Sequence, residues 1–445
     1  MGVRQISTSR QYPLLYWTAV IYLVGIPNFI HFDVTGRTHT QGILNLTSIG
    51  QIAIALLSAY VLAMTVMLAR APLLCRRITL DLWLWIPLLL QMILATLLQP
   101  TSRMTPYSPT DKIVSLYRLG EWVIAFALLA ALYSRTPAKQ ATALIVQLLG
   151  RVAWIWICIV WIVLPIMPEQ VYGASDELAS KVSQLGGQLI APSYLATLAV
   201  GAFFYALYFF PRGLYRFVGC LIAVVTIVLA HTRIEQMSFL LLLLICASFF
   251  SGKLIRLATV AFLVIVIPVV VVFRDTLMEY FSRGQALKTL TTLNDRTLVW
   301  HAGIEAAKLR PILGYGFIAG AKNAIRDHWI YADWTPPHAH NEYIQAILSG
   351  GVLALLIVLT IYGRMLWTAI RSAALSRENT VLLLMLVLFL VRSIGGSNFT
   401  IAYTRVGAVF LLTFLGITAG VKDVVVSKVR SIPRSTLQSA QEWSA

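Results

Sequence analysis

The stretch TPPHAHNEYIQAILSGG, residues 335–351, sets His338, His340 and Asn341 at the mouth of a long apolar run. Pro336 and Pro337 favour an extended approach to that run. Asn341 fits the N-cap of the helix that follows, with Glu342 in its first turn. An imidazole held at a helix N-terminus tends to stay neutral, because the positive end of the dipole disfavours imidazolium, and a neutral imidazole accepts a proton. The same helix end favours an anion such as a phosphate. The stretch therefore offers a general base beside an anion site. Two other readings of the same residues stand next to this one. His338 and His340 would join His328 and Asp333 on a zinc ion, although i, i+2 histidines share no helical face and no HExxH pattern is present. Alternatively, the imidazoles are amphipathic boundary residues at a membrane surface.

Arginines form the second set with chemical potential. Arg233 and Glu235 interrupt apolar stretches, Arg151 and Arg392 lie inside others, and Arg405 opens the last one. Arg296 begins a segment rich in both charge and aromatics. Ionisable groups at membrane depth are costly and point to function by default. A planar guanidinium binds phosphate oxygens bidentately, so Arg233, Arg296, Arg392 and Arg405 are the expected diphosphate-binding residues. Internal pairing is the alternative, for example Arg118 with Glu121 or Arg233 with Glu235.

The elements that must position these groups follow from composition. The chain of 445 residues is 58% hydrophobic and 12% charged, against roughly 25% charged for a soluble domain. Its mean hydropathy is +0.78. This excludes an ordinary soluble enzyme and implies an all-α polytopic membrane protein, a single transmembrane domain over 1–445. We expect about twelve spans, over 12–30, 43–69, 78–99, 118–133, 141–166, 189–210, 217–232, 236–250, 257–273, 343–363, 380–398 and 404–421. With both termini in the cytoplasm, every short inner connection is basic, so the net charge of +17 is mainly a topology signal and not a nucleic-acid footprint. Residues 422–445 are then a cytoplasmic tail, and all 7 histidines fall at the outer side. The cysteines lie in or beside spans, with no pairing suggested.

The longest outer connection, 274–342, carries the histidines at its end. A connection of that length is usually functional or disordered, and its mixture of charges and aromatics argues against disorder. Asp295 is placed to cap a helix from Arg296 to Leu309, with Leu298, Val299, Ile304 and Ala307 facing a core. Arg310 and Pro311 end it, and Gly314 and Gly316 supply a turn. Trp300, Trp329, Tyr331 and Trp334 are candidates for carbohydrate contact, whereas Trp154, Trp156 and Trp161 read as lipid-facing or interfacial anchors.

These motifs together carry a family resemblance over about residues 225–365. HAHNEYIQAILSGG, AHTRIEQMSFLLLLL and NDRTLVWHAGIEAAKLRPILGYG resemble, in order and spacing, the shared region of the O-antigen ligase and polymerase superfamily. The chain departs from that pattern before Arg233, where His231 and Thr232 replace a Ser-rich string. The resemblance implies transfer of a polysaccharide from an undecaprenyl diphosphate donor, at the periplasmic face of a bacterial inner membrane. For a ligase the acceptor is lipid A-core; for a polymerase it is a growing glycan. The functional residues it implies are Arg233, Arg296 and His340, with His338 and Asn341 beside them. No DxD-like carboxylate pair lies on the outer face, so metal-independent chemistry without a cofactor is expected. A protein-glycosylating relative and a lipid-linked glycan transporter remain as competitors; the transporter would place polar residues at the membrane midplane, in matching halves.

Overall fold

The computed structural model describes residues 12–25, 46–67, 83–99, 109–173, 183–250, 272–273, 296–330, 336–400 and 404–431. The helices in the first half are α1 (Pro13–Val24), α2 (Leu46–Met67), α3 (Trp85–Leu97), α4 (Pro109–Arg135), α5 (Ala138–Val163) and the single turn α6 (Pro168–Val171). They are followed by α7 (Pro192–Phe209), α8 (Leu214–Leu229), α9 (Arg233–Phe249), α10 (Arg296–Leu309), α11 (Ala319–Asp327), α12 (Glu342–Ser372), α13 (Arg377–Gly395) and α14 (Arg405–Ser431). A helix lies over each expected span except 257–273, of which only Val272 and Phe273 are described. Among the described residues, five helices, Asp111–Arg135, Gln140–Val163, Pro192–Phe209, Glu342–Leu375 and Arg377–Gly395, are long and apolar enough to cross a membrane. The fold is thus that of an all-α membrane protein, with one two-residue antiparallel pairing, Tyr172 with Leu185 and Gly173 with Gln184.

Local sequence explains where helices begin. Pro13 and Pro192 occupy first-turn positions, where a missing N–H costs nothing. Ser376 caps α13, its hydroxyl accepting from Asn379 N at 3.2 Å. The helices α5 and α7, and α14 over Arg405–Ala419, are apolar around most of their circumference and are largely buried, as expected for the centre of a bundle. Small residues let them approach: a Cβ on Gly150 would fall on the ring of Tyr205, and one on Gly416 on Leu382. Aromatic anchoring is less prominent than expected. Trp156 is wholly buried and donates from Nε1 to Val24 O at 2.9 Å. Trp161 donates to Thr226 Oγ1, and Trp154 stacks on Phe210. Trp156 and Trp161 hold helices together in the bundle, because an indole N–H with a protein acceptor loses little on leaving the interface.

The helix expected at Arg296–Leu309 is present with those bounds. Asp295 lies outside the described residues, as do Asp333, Tyr331 and Trp334. Val299, Ala302, Ala306 and Ala307 form its inner face, while Ile304 is 46% exposed. That correction reflects the drift of a 3.6-residue repeat, which turns position 304 away from 299. Together α10 and α11 bury a small second core against Ala339 and Leu348 at the start of α12. The segment holding α10 and α11 is therefore fixed to the start of α12, which His338 and His340 immediately precede.

Candidate active site

Asn341 caps α12 as its sequence suggests. Its Oδ1 accepts from Tyr343 N at 3.0 Å and Ile344 N at 3.1 Å, while its Nδ2 donates to Ile394 O at the end of α13 at 3.0 Å. Just before it, His340 holds a φ of +48°, a left-handed conformation uncommon for a residue with a Cβ. Such strain costs about 1–3 kcal/mol and persists only where surrounding structure enforces it. Here the enforcement is visible. His340 N donates to His338 Nδ1 at 3.1 Å, Ala339 N donates to Gln345 Oε1 at 2.9 Å, and the two imidazoles meet with centroids 3.9 Å apart. Glu342, wholly buried, accepts from the backbone N–H groups of Asn398 and Phe399 and so ties the connection after α13 to the same place.

Arginines enter from neighbouring helix starts. Arg296, the first residue of α10, donates to Gly395 O, and a Cβ on Gly395 would fall on the Arg296 guanidinium and on Ile234 of α9. The N-termini of α9, α10 and α12 therefore converge on the last turn of α13. Three positive dipole ends meet there against the negative end of α13, and with Arg233 and Arg296 on two of them they form a candidate anion site. Arg233 opens α9, ahead of the apolar run that starts at 236, and both burial and the neighbouring Arg296 disfavour its charge. Burial, then Arg296 and Arg392, push the His338 imidazole down to about 3. Burial, then His338 and the same arginines, hold His340 well below its ordinary value. Both imidazoles are neutral at neutral pH.

The other two expected arginines are placed differently. Arg392 is 4% exposed and pairs from Nε with Glu235 Oε1 at 3.2 Å. It also donates to Thr197 Oγ1 at 3.2 Å, to Ser397 O at 3.3 Å and to Asn398 Oδ1 at 3.4 Å. It clamps α7, α9 and α13 behind the histidines, within their electrostatic reach but with these donors already engaged. Glu235 therefore pairs with Arg392 and not with Arg233, since the helical rotation from 233 to 235 turns the carboxylate towards α13. Arg405 lies over the Trp156 indole at 5.2 Å and beside Gly25, lining a separate cavity. Arg118 and Glu121 form the expected i, i+3 pair at 2.9 Å, and Arg151 lies over the rings of Tyr16 and Trp17.

A device that spacing alone does not reveal fixes the distance between the arginine and histidine elements. Helix α12 is broken at Gly350 and Gly351, whose φ values are −149° and +72°. The turn after α10 enters that break: Tyr315 N donates to Leu348 O and Val352 N to Pro311 O, both at 2.7 Å. Gln91 of α3 donates to Gly350 O at 2.9 Å, and Thr96 Oγ1 accepts from Phe317 N at 2.9 Å. The glycine turn of the outer segment is thus a wedge in the helix that begins with Asn341. A Cβ on Gly351 would fall on Ile312 O, in a backbone conformation that L residues avoid. Gly351→Ala is expected to cost about 3 kcal/mol, from a positive-φ extended backbone that only glycine adopts readily plus overpacking, read as a lower unfolding temperature in detergent; an unchanged midpoint would show that the break closes without penalty.

The zinc reading finds no donor set among the described residues, where no three His, Cys, Asp or Glu side chains gather; Asp333 lies outside them.

Two comparisons with known proteins find relatives of this chain. Over 74 residues it is 32% identical to the exopolysaccharide production protein ExoQ of Rhizobium meliloti (strain 1021). That match covers 15% of this chain and 17% of the relative, so the chain spans under a fifth of that protein's length at this likeness. A family model described as Wzy_C, O-antigen ligase, matches residues 218–359. The resemblance read from the three motifs is therefore the one the comparison finds, and Arg233, Arg296, His338, His340 and Asn341 all lie within the segment that this family model matches.

Proposed function

We propose that the protein is a membrane glycosyltransferase that moves O-antigen polysaccharide from undecaprenyl diphosphate to a sugar hydroxyl of lipid A-core. In this reading the bundle has about twelve spans with both termini cytoplasmic, and the segment 274–342 works at the periplasmic face of the inner membrane. One observation carries the proposal: three helix N-termini, with Arg233 and Arg296 on two of them, meet beside a pair of neutral imidazoles. An anion site adjoining a proton acceptor is what transfer from a diphosphate to a hydroxyl requires.

The reaction balances with these groups alone. The acceptor oxygen attacks the anomeric carbon from the face opposite the diphosphate, the C–O bond to the diphosphate breaks, and configuration inverts. The acceptor proton passes to His340, and Arg233 and Arg296 stabilise the charge gathering on the leaving group. His340 is the better base, because the Nδ1 lone pair of His338 already accepts from the His340 N–H, leaving its proton on Nε2. Asn341 holds the start of α12 and aims the imidazole.

Arg296, which helps depress His340, is also a group that a bound diphosphate would neutralise, so donor binding raises the basicity of the imidazole. The sign for activity follows. A base with a depressed value stays unprotonated as pH falls, so kcat/KM, which reports the free enzyme, should stay flat from pH 8 down through 6.5. The fall in kcat, which reports the donor complex, should begin at higher pH. Initial rates from pH 5 to 8 decide this; a kcat/KM limb at or above 6.5 would sink it.

The similarity to a protein named for exopolysaccharide production favours a second reading, a polymerase using the same donor. Purified protein offered carrier-linked glycan together with lipid A-core separates the two. Glycan on lipid A-core supports the ligase; lengthening of the carrier-linked glycan alone supports the polymerase. Neither product with competent substrates returns the transporter reading.

A further inference from the structure

Helix α12 and the connection after α13 are joined through a carboxylate to which the proposed reaction gives no task. Glu342, the first residue of α12, is wholly buried, and among the described residues no basic side chain lies within ion-pair distance of it. Its two oxygens accept from successive backbone N–H groups, Oε2 from Asn398 and Oε1 from Phe399, the latter at 3.4 Å. Burying a carboxylate on neutral donors is costly where a neutral side chain would fill the same volume. What the carboxylate offers in return is two acceptors side by side.

That pair of acceptors reaches the reacting groups. The preceding residue, Asn341, holds Ile394 O at 3.0 Å, so two neighbouring side chains at the start of α12 grip both ends of the segment 394–399. Between those ends Gly395 O accepts from Arg296, and Ser397 O accepts from Arg392 at 3.3 Å. The path from base to leaving-group arginine therefore runs through His340, Asn341, Ile394, Gly395 and Arg296, and Glu342 fixes the far side of the same turn. Space along this path is tight, since a Cβ on Gly395 would meet Arg296 Nη1 at 2.8 Å. Asn398 is also anchored by its side chain, whose Nδ2 lies within hydrogen-bonding reach of Tyr362 Oη at 2.8 Å, Ser393 Oγ at 2.9 Å and Phe389 O at 3.0 Å. Those bonds keep the connection in place, and the carboxylate sets the direction of its backbone.

We infer that Glu342 is a positioning residue that sets the spacing between Arg296 and His340. The role rests on the reaction proposed above. In Glu342→Gln one acceptor becomes an NH2 donor facing a backbone N–H, so the segment 394–399 shifts and carries Arg296 with it, while side-chain volume is kept.

Steady-state transfer by full-length wild type, Glu342→Gln, His340→Ala and the double variant, in detergent with carrier-linked glycan and both candidate acceptors, tests it. The expected result for Glu342→Gln is a kcat about 10- to 100-fold lower, a donor KM within about 3-fold of wild type and an unfolding temperature that does not fall. Added to His340→Ala, the same substitution should cost nothing further, because spacing to an absent base has no value. An unchanged kcat, a loss carried by donor KM, a loss that follows a lower unfolding temperature, or equal factors in both backgrounds overturns the role and leaves the base in place. An undiminished rate in His340→Ala is a different failure, which removes the base and with it the reaction on which the role rests. Glu342→Asp, which draws the carboxylate back by one methylene, decides by the same criteria should Glu342→Gln not fold.

Discussion

His340→Ala is expected to lower glycan transfer by about 10²- to 10⁴-fold, the usual worth of a general base, or about 3–5 kcal/mol of transition-state stabilisation. Folding should survive, because the variant removes a strained side chain and leaves the backbone donation from residue 340 to His338 Nδ1 in place. His338→Ala removes that acceptor instead and frees the approach to α12, so a smaller loss, about 10-fold, is expected from misplacement of a base that is still present. His338→Asn restores an acceptor and should recover part of the rate. The measurement is initial transfer rate by variants of matched unfolding temperature. Equal losses in both alanine variants would remove the distinction between base and positioner, and an undiminished rate in His340→Ala would leave positioning by arginine as the whole of the catalysis.

The second large effect concerns stability. Arg392→Met strands the Glu235 carboxylate, 3% exposed, without its ion pair, which is expected to cost about 3–5 kcal/mol. Adding Glu235→Gln removes the stranded charge and should return most of that stability, because an apolar and amide pair of similar volume can replace a buried ion pair at little cost. Unfolding midpoints of the single and double variants, compared as a cycle, give the coupling directly. If Arg392 served the donor alone, the single variant would keep its midpoint and lose only donor affinity. The clamp predicts the reverse order, and the recovered double variant then shows whether transfer also needs a charge at this position.

Local chemistry was legible from the chain. The Asn341 cap, the helix at Arg296–Leu309, the turn glycines and the Arg118 and Glu121 pair all depend on residues within a few positions of each other, where spacing dictates geometry. What was not legible lies between helices. Arg392 and Arg405 look alike as arginines at the ends of apolar runs, yet packing sends one to Glu235 and the other to the Trp156 indole. Nothing in the spacing of Gln91 and Thr96 marks them as supports of the outer turn, since their partners are far along the chain and apolar helices look alike from sequence. The Gly350 and Gly351 pair was read as part of a continuous run, because a broken helix keeps its apolar composition across the break.

The wedge in α12 has a consequence for biogenesis. Gln91 and Gly350 are separated by 259 residues, and Thr96 and Phe317 by 221, so the supports of the outer turn are made long before their partners exist. Contacts of such separation form late, after the entropy of closing the intervening chain has been overcome. A nascent chain inserted only as far as α9 already carries Arg233, but has neither His338, His340 nor the wedge. In the proposed reaction such an intermediate would hold part of the anion site and no base, so transfer would wait until the second half of the polypeptide has locked onto the first.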